Sequence, residues 1–179
     1  PHPAGCHPLV LPKVAAPSAL SRLRDLLGAR VVHHDLEHHV AAEDLLENLV
    51  NRNLVLYLAS GTDHIFVARE VQLLGLSSYF EDRVFGALDQ YENFSKAMVI
   101  QDLLKTHAIA GSELLGFGDG YVEIENVKAV GGTAVGVASD EVNRTGINTW
   151  KRDRLSEVHA DFIIPEYTEQ DLLISYLCD

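Results

Sequence analysis

Cysteine is almost missing from this sequence. Cys6 and Cys178 lie near opposite ends of the 179 residues and form no metal or redox motif. They fit a reducing compartment, and a cytoplasmic location is the expectation. Positive charge is short as well: 14 Lys and Arg against 26 Asp and Glu leave a net charge of −12 and a sequence pI near 5.1. That balance argues against nucleic acid or an anionic membrane surface as a partner. The deficit is uneven, with residues 1–40 at a net +1 and residues 41–179 at −13. Apolar runs of membrane-spanning length are lacking, and no basic-then-apolar segment opens the sequence as a signal peptide would. Proline is scarce after Pro17, because five of the six prolines lie in residues 1–17. Those 17 residues read as an extended or irregular lead-in. The first residue is Pro rather than Met, which leaves room for a natural N-terminus further upstream.

What is present is enough apolar content, 47%, to bury one full core in a single domain. Ser18 to Leu27 places Leu20, Leu23, Leu26 and Leu27 on one helical face, with Gly28 as a stop, so a short helix is expected there. Four histidines follow between His33 and His39. His34 and His38 would share a face if that stretch were helical, but no third ligand is spaced to close a metal site. Solvated loop histidines are the plainer reading. Residues 1–40 are therefore expected to be an irregular lead-in with one short helix, and residues 41–179 the α/β core.

From Ala41 onward the pattern becomes regular. Leu45, Leu46, Leu49 and Val50 mark an amphipathic helix that ends near Asn51-Arg52-Asn53. Leu54 to Leu58 is a continuous apolar run of strand length, as in a strand covered on both faces. It empties into Ala59-Ser60-Gly61-Thr62-Asp63. A glycine between hydroxyl residues, after a buried strand and before a helix, leaves amides and hydroxyls free to hold a phosphate. The ordinary alternative is that Thr62 or Asp63 caps the next helix. That helix is expected over His64 to Leu74, burying Phe66, Val67, Val71 and Leu74. A short strand follows over Arg83 to Ala87. After a polar stretch, Lys96 opens a helix containing Met98, Val99, Leu103 and Leu104. A lysine at a helix N-terminus opposes the dipole, which hints at an anionic partner, though a plain surface lysine fits too.

The stretch Gly116 to Gly132 organises the rest. Leu114, Leu115 and Phe117 read as a buried strand, Gly118-Asp119-Gly120 as a tight turn, and Tyr121 to Val130 as a helix closed by two glycines. Asp119 and Glu123 are then one helical turn apart, at the carboxyl end of a strand where doubly wound sheets bind ligands. Two hard oxygen ligands there suit Mg²⁺; the plainer reading is a strand, a turn and a capped helix. Thr133 to Ala138 reads as another buried strand, Ser139 to Arg154 as polar and irregular, and Asp161 to Pro165 as a last strand. A final helix from Thr168 is expected to bury Leu172, Leu173, Tyr176 and Leu177. The alternation describes a Rossmann-like, doubly wound, mostly parallel sheet with helices on both faces.

A strand ending in a hydroxyl residue, a lysine opening a helix, and a strand ending Gly-Asp with a second acid now stand in order. This set resembles the haloacid dehalogenase-like (HAD) phosphohydrolase superfamily over roughly residues 41–179. Leu54–Thr62, with Ser60, resembles the superfamily's second motif; Lys96 in Phe94-Ser-Lys-Ala resembles the third; Gly118-Asp119 with Glu123 resembles the fourth. The resemblance implies a Mg²⁺-dependent phosphatase for a small phosphorylated metabolite. In such chemistry an aspartate attacks phosphorus and water hydrolyses the aspartyl-phosphate. Ser60, Gly61 and Thr62 would hold the phosphoryl oxygens, and Lys96 would balance the charge of nucleophile and phosphate. Asp119 and Glu123 would hold Mg²⁺. Ser60 and Lys96 are thus the implied catalytic residues.

One departure stands out. The superfamily's first motif, an apolar strand followed by Asp-x-Asp, is not found. Val31-Val-His-His-Asp35-Leu-Glu37 comes nearest, but His-His-Val follows where Gly-Thr is expected. Either that strand belongs to a missing N-terminal segment or a partner chain, or the chain is a non-catalytic relative that binds a phosphate compound or a protein. Residues 1–40 would then include a remnant of the cap that selects substrate in such enzymes.

Overall fold

Short apolar segments bounded by glycine, and helices with one apolar stripe, can bury themselves by layering helices on both faces of a sheet. The computed structural model describes residues 8–12, 41–87, 95–143 and 145–178, with the backbone alone for residues 8–12 and 178. Strand β1 is Pro8–Pro12, followed by helix α1 over 41–51. Strand β2 is Val55–Asp63, helix α2 His64–Leu73, the single turn α3 Ser77–Phe80, and strand β3 Val84–Ala87. Helix α4, Lys96–His107, crosses to strand β4, Leu115–Gly118, and helix α5, Tyr121–Ala129. Strand β5 is Thr133–Val137, helix α6 Thr149–Glu157, strand β6 Phe162–Ile164 and helix α7 Gln170–Cys178.

The six strands run in the order β3-β2-β1-β4-β5-β6, and every pair is parallel. The chain leaves β1 in one direction to lay down β2 and β3, then returns to build β4, β5 and β6 on the other side. The direction reverses between β1 and β4, so the crevice at their carboxyl ends is the place where such sheets take ligands.

Strand β1 corrects one expectation. A central strand is present, and it comes from the proline-rich lead-in. Leu9 pairs with both Leu56 and Leu115, so β1 sits between β2 and β4. Its two prolines fall at the first and last positions, where the lost N–H groups interrupt the ladder least. Leu9-Val10-Leu11 between them supplies a short apolar run that the proline count concealed. The expected helix Ser18–Leu27, the histidines between His33 and His39, and Asp35 lie outside the described residues.

Side-chain alternation along β2 builds two cores. Leu56 and Leu58 enter one, packed with Leu45 and Leu49 of α1, Val67 and Val71 of α2, Phe117 of β4 and Ile174 of α7. Tyr57 and Ala59 enter the other, packed with Val99, Ile100 and Leu103 of α4, Ile124 and Val127 of α5, and Leu155 of α6. Each of the buried Leu, Ile, Val and Phe side chains among these contributes about 1.5–3 kcal/mol relative to an exposed one. The continuous apolar run at the start of β2 is thus the signature of a strand covered on both faces.

Three further expectations change. Ser139 to Arg154 is not wholly irregular, because α6 begins at Thr149, where the Asn148 side chain accepts a hydrogen bond from the Lys151 amide at 3.0 Å. A single buried residue, Leu155, anchors that helix, too little to show as periodicity. Phe66 on α2 is exposed, and on α7 Leu173 and Ile174 are buried while Leu172 and Tyr176 face outward. Among the described residues no helix is long and apolar enough to cross a membrane.

Two local devices fix the strand ends. The register between β2 and β3 shifts between Ala59 and Asp63, so β2 bulges over Gly86. A Cβ on Gly86 would stand 2.4 Å from the His64 Cα and 2.7 Å from the Thr62 oxygen, both backbone. At the opposite side, Asp161 accepts hydrogen bonds from Lys128 at 2.7 Å and from the Ala134 amide at 2.8 Å, joining α5, β5 and the entry to β6. Burial alone would raise the Asp161 carboxyl, but the bonds from Lys128 and Ala134 outweigh it and hold it below the ordinary value.

Two predictions follow from these devices. Gly86→Ala should destabilise the domain by about 1–3 kcal/mol in denaturant unfolding, since backbone must shift to admit the methyl. An unchanged midpoint would show that the bulge does not need this approach. Because the folded Asp161 is more acidic than the unfolded one, its stabilisation is full above the ordinary value of 3.8 and is lost as pH falls through the folded value. Asp161→Asn should therefore flatten the acid limb of stability against pH. Parallel acid limbs in parent and variant would refute the role given to Lys128 and Ala134.

Candidate functional site

The carboxyl ends of β2 and β4 bring the second and fourth motif-like segments to one edge of the sheet. Ser60 lies within β2 and is buried. Its Oγ accepts a hydrogen bond from the Thr62 amide at 3.1 Å, which leaves the hydroxyl proton free to donate elsewhere. Gly61 is exposed, with nothing near the position of an added Cβ. Asp63 is the N-cap of α2, yet its side chain makes no capping bond. The ordinary reading of this segment as a side-chain cap by Asp63 is not what the geometry shows.

Asp119 occupies the bend between β4 and α5, and Glu123 the first turn of α5. A carboxylate there is favoured by the helix dipole. Gly118 is needed for the close approach: a Cβ on it would meet the Glu123 Cβ at 2.7 Å. Lys96, the first residue of α4, forms an ion pair with Glu123, and both side chains are less than a fifth exposed, at 17% and 18%. Helix α4 is N-capped by Ser95, whose Oγ accepts from the Met98 amide at 3.2 Å. The anionic group that Lys96 calls for is therefore supplied, at least in part, by Glu123 within the chain.

Lys151 was not a candidate from the sequence, and the structure brings it to the same edge. Its Nζ lies 3.8 Å from Asp119 Oδ2 and 2.8 Å from Glu141 Oε1. The basic cluster around it is visible in the sequence, but only the helical start at Thr149 places it over the crevice. Tyr167, in the segment between β6 and α7, packs its ring against Phe117 at 6.3 Å. Its phenol is pushed well above the ordinary range, first by burial and then by the charge of Asp119, so it stays protonated. One turn further along α6 from Lys151, Arg154 lies over the rings of Tyr121 and Trp150 at 4.5 and 4.7 Å.

The donor set can be tested against Mg²⁺. Mg²⁺ takes six oxygens in an octahedron, commonly one or two from carboxylates and the rest from water or substrate phosphate. Here Glu123 is taken by Lys96 and Asp119 faces Lys151. Among the described residues no group of three or more His, Cys, Asp or Glu is disposed to hold a metal. Asp119 and Glu123 are enough in number for Mg²⁺, but each would have to give up a lysine to hold it. At the end of β1, Lys13 follows Pro12 in sequence, and no Asp or Glu occurs before Asp25.

Comparison with solved structures settles the architecture. Over 93% of this chain and 72% of the other, it superposes on a conserved haloacid dehalogenase-like protein of unknown function from Agrobacterium tumefaciens, with a TM-score of 0.63 and 14% identity. The fold is the HAD-like fold. A HAD family hydrolase from Deinococcus radiodurans, solved with bound phosphate and sodium, matches at a TM-score of 0.61 and 13% identity, over 91% of this chain and 69% of that one. A protein described as a predicted phosphatase from Clostridium acetobutylicum matches at 0.60 and 19% identity, over 75% of this chain and 58% of that one. The chain thus spans little more than half the length of that phosphatase. No family model and no curated protein matches the sequence.

Removing Lys96 would leave Glu123 charged and mostly desolvated. Lys96→Met should cost about 1–3 kcal/mol, less than for a fully buried pair because water still reaches both groups. The double variant Lys96→Met with Glu123→Gln should recover part of that loss. Strict additivity in the double-mutant cycle would show that the pair is not coupled.

Proposed function

We propose that this HAD-like domain binds a small phosphorylated compound at the carboxyl ends of β2 and β4 and does not pass the phosphoryl group to an aspartate. The observation that carries this reading is strand β1. It occupies the centre of the sheet beside β2 and β4, and its sequence runs on into Lys13-Val14-Ala15-Ala16 with no carboxylate. An in-line carboxylate is what aspartyl-phosphate formation requires.

The binding roles follow from the donors on hand. Ser60 would donate its hydroxyl proton to a phosphoryl oxygen, and the Gly61 amide lies at the bulged end of β2, while the Thr62 amide holds the Ser60 hydroxyl in place. Lys96 carries three N–H donors, of which Glu123 engages one, so the ammonium can bridge carboxylate and phosphate. Lys151 would add positive charge from the side of Asp119. The phosphate bound in the Deinococcus hydrolase supports the ligand class without fixing the residues.

A second reading is a Mg²⁺-dependent phosphohydrolase. It is favoured by Lys96, Asp119 and Glu123, which stand where the resemblance expects its third and fourth motifs. Its nucleophile would have to come from Asp35, from a missing N-terminal segment or from a partner chain. Mg²⁺ would be held by Asp119 and Glu123 together with oxygens from outside the described residues, and would screen the carboxylate–phosphate repulsion. That the domain works in the cytoplasm, on a small molecule rather than a nucleic acid or a membrane, belongs to both readings.

The two separate in one assay. Phosphate titrated into the protein should raise its melting temperature, and Lys96→Ala should weaken that effect more than Ser60→Ala. Turnover of an aryl phosphate with millimolar Mg²⁺ should stay at the uncatalysed rate. Robust turnover abolished by Asp35→Asn, together with a Mg²⁺-dependent melting shift lost in Asp119→Asn, would establish the second reading and overturn the first.

A further inference from the structure

Among the described residues the half-buried cations are matched, with one exception. Arg83 pairs with Glu81, Lys96 with Glu123, Lys128 with Asp161, and Lys151 with Glu141 and Asp119. Arg154 is half-buried and, among the described residues, makes no ion pair or hydrogen bond. What it does make is contact with two aromatic faces, the Tyr121 ring at 4.5 Å and the Trp150 ring at 4.7 Å. A guanidinium held this way is fixed in orientation and partly stripped of water, while its N–H donors remain unspent. That is the preorganised state in which arginine receives a carboxylate or phosphate with two parallel hydrogen bonds.

Its location ties it to the crevice. Tyr121 opens α5 two residues after Asp119, and Trp150 lies in the first turn of α6. Both helices start at the carboxyl edge of the sheet. Lys151, which reaches Asp119, precedes Arg154 by three residues on α6 and so lies about one turn away on the same side. Arg154 therefore lies one helical turn beyond the lysine that reaches Asp119, against the residue that opens α5.

We infer that Arg154, clamped by Tyr121 and Trp150, is a second anion subsite that selects phosphorylated compounds carrying a further carboxylate or phosphate group. This rests on the phosphate-binding reading above and adds the substrate class to it. Lys96 and Ser60 hold the first phosphoryl group, and Arg154 reads the far end. Exposed Trp150 and Tyr121 supply an apolar wall to the same subsite, which suits a short carbon skeleton between the two anions.

Trp150 is the only tryptophan in the sequence, so its fluorescence reports directly on this subsite. Two non-hydrolysable probes serve, propylphosphonate with one anionic end and 3-phosphonopropionate with two. In the parent, 3-phosphonopropionate should bind about tenfold tighter than propylphosphonate, as a charge-assisted bidentate contact warrants, and should alone change the Trp150 emission. Arg154→Met should equalise the two probes by weakening only the one with two anionic ends. Arg154→Lys, which keeps the charge without the planar fork, should restore part of the difference and guards against a misfolded methionine variant. Equal binding of both probes in the parent would overturn the subsite and leave the phosphate reading intact. Failure of both probes to bind would overturn the phosphate reading, and the subsite with it.

Discussion

The pairing of β1 with both β2 and β4 is the constraint on which the rest depends. It brings the ends of strands from opposite halves of the chain to one edge, and only then do Ser60 and Asp119 belong to the same crevice. The crossover α4 carries Lys96 back over the sheet so that it meets Glu123, 27 residues further on. Each candidate group lies within or directly beside a regular element, Ser60 inside β2, Asp119 just after β4, and Lys96 and Glu123 in the first turns of α4 and α5, so its position is set by the core beneath it. Burial of Leu56, Leu58 and Phe117 on one face and of Tyr57, Ile124 and Leu155 on the other is what holds that edge in shape.

The charge arrangement is self-compensating to a degree that bears on chemistry. Each candidate metal ligand has a lysine beside it, Glu123 with Lys96 and Asp119 with Lys151. Such a site favours an added anion more than an added cation, since the carboxylates are already partly neutralised. The same pairing explains why Lys96 is tolerated where the helix dipole opposes it: an acid in the first turn of α5 meets it across the crevice.

Much of the fold was legible because the core segments obey simple periodicities. Strands β2, β4 and β5 read as uninterrupted apolar runs, and α4 and α5 as stripes bounded by a cap or by glycine. The motif-like residues Ser60, Lys96, Asp119 and Glu123 could be placed at element ends for that reason. What could not be read was governed by weaker signals. Strand β1 has three apolar residues between two prolines, and its place comes from pairing with strands more than 40 residues away. Helix α6 buries only Leu155, so its polar sequence resembles a loop. Lys151 and Arg154 were hidden with it, because their proximity to Asp119 and Tyr121 is a fact of packing alone.

The prolines that bound β1 have a further consequence for how the molecule holds together. Pro8 and Pro12 have no amide proton, so Leu9, Val10 and Leu11 are the N–H donors that β1 can offer to its neighbours. The seam between the two halves of the sheet is therefore lean in backbone bonds. What spans it is the side-chain packing that joins Leu56 and Leu58 to Leu115 and Phe117. Cooperative unfolding across the sheet is thus a property of the apolar layers more than of the ladder. A solvent that loosens apolar packing will uncouple the halves while each still keeps its own strand pairs, and slow amide exchange will retreat to β2 on one side and to β4 and β5 on the other.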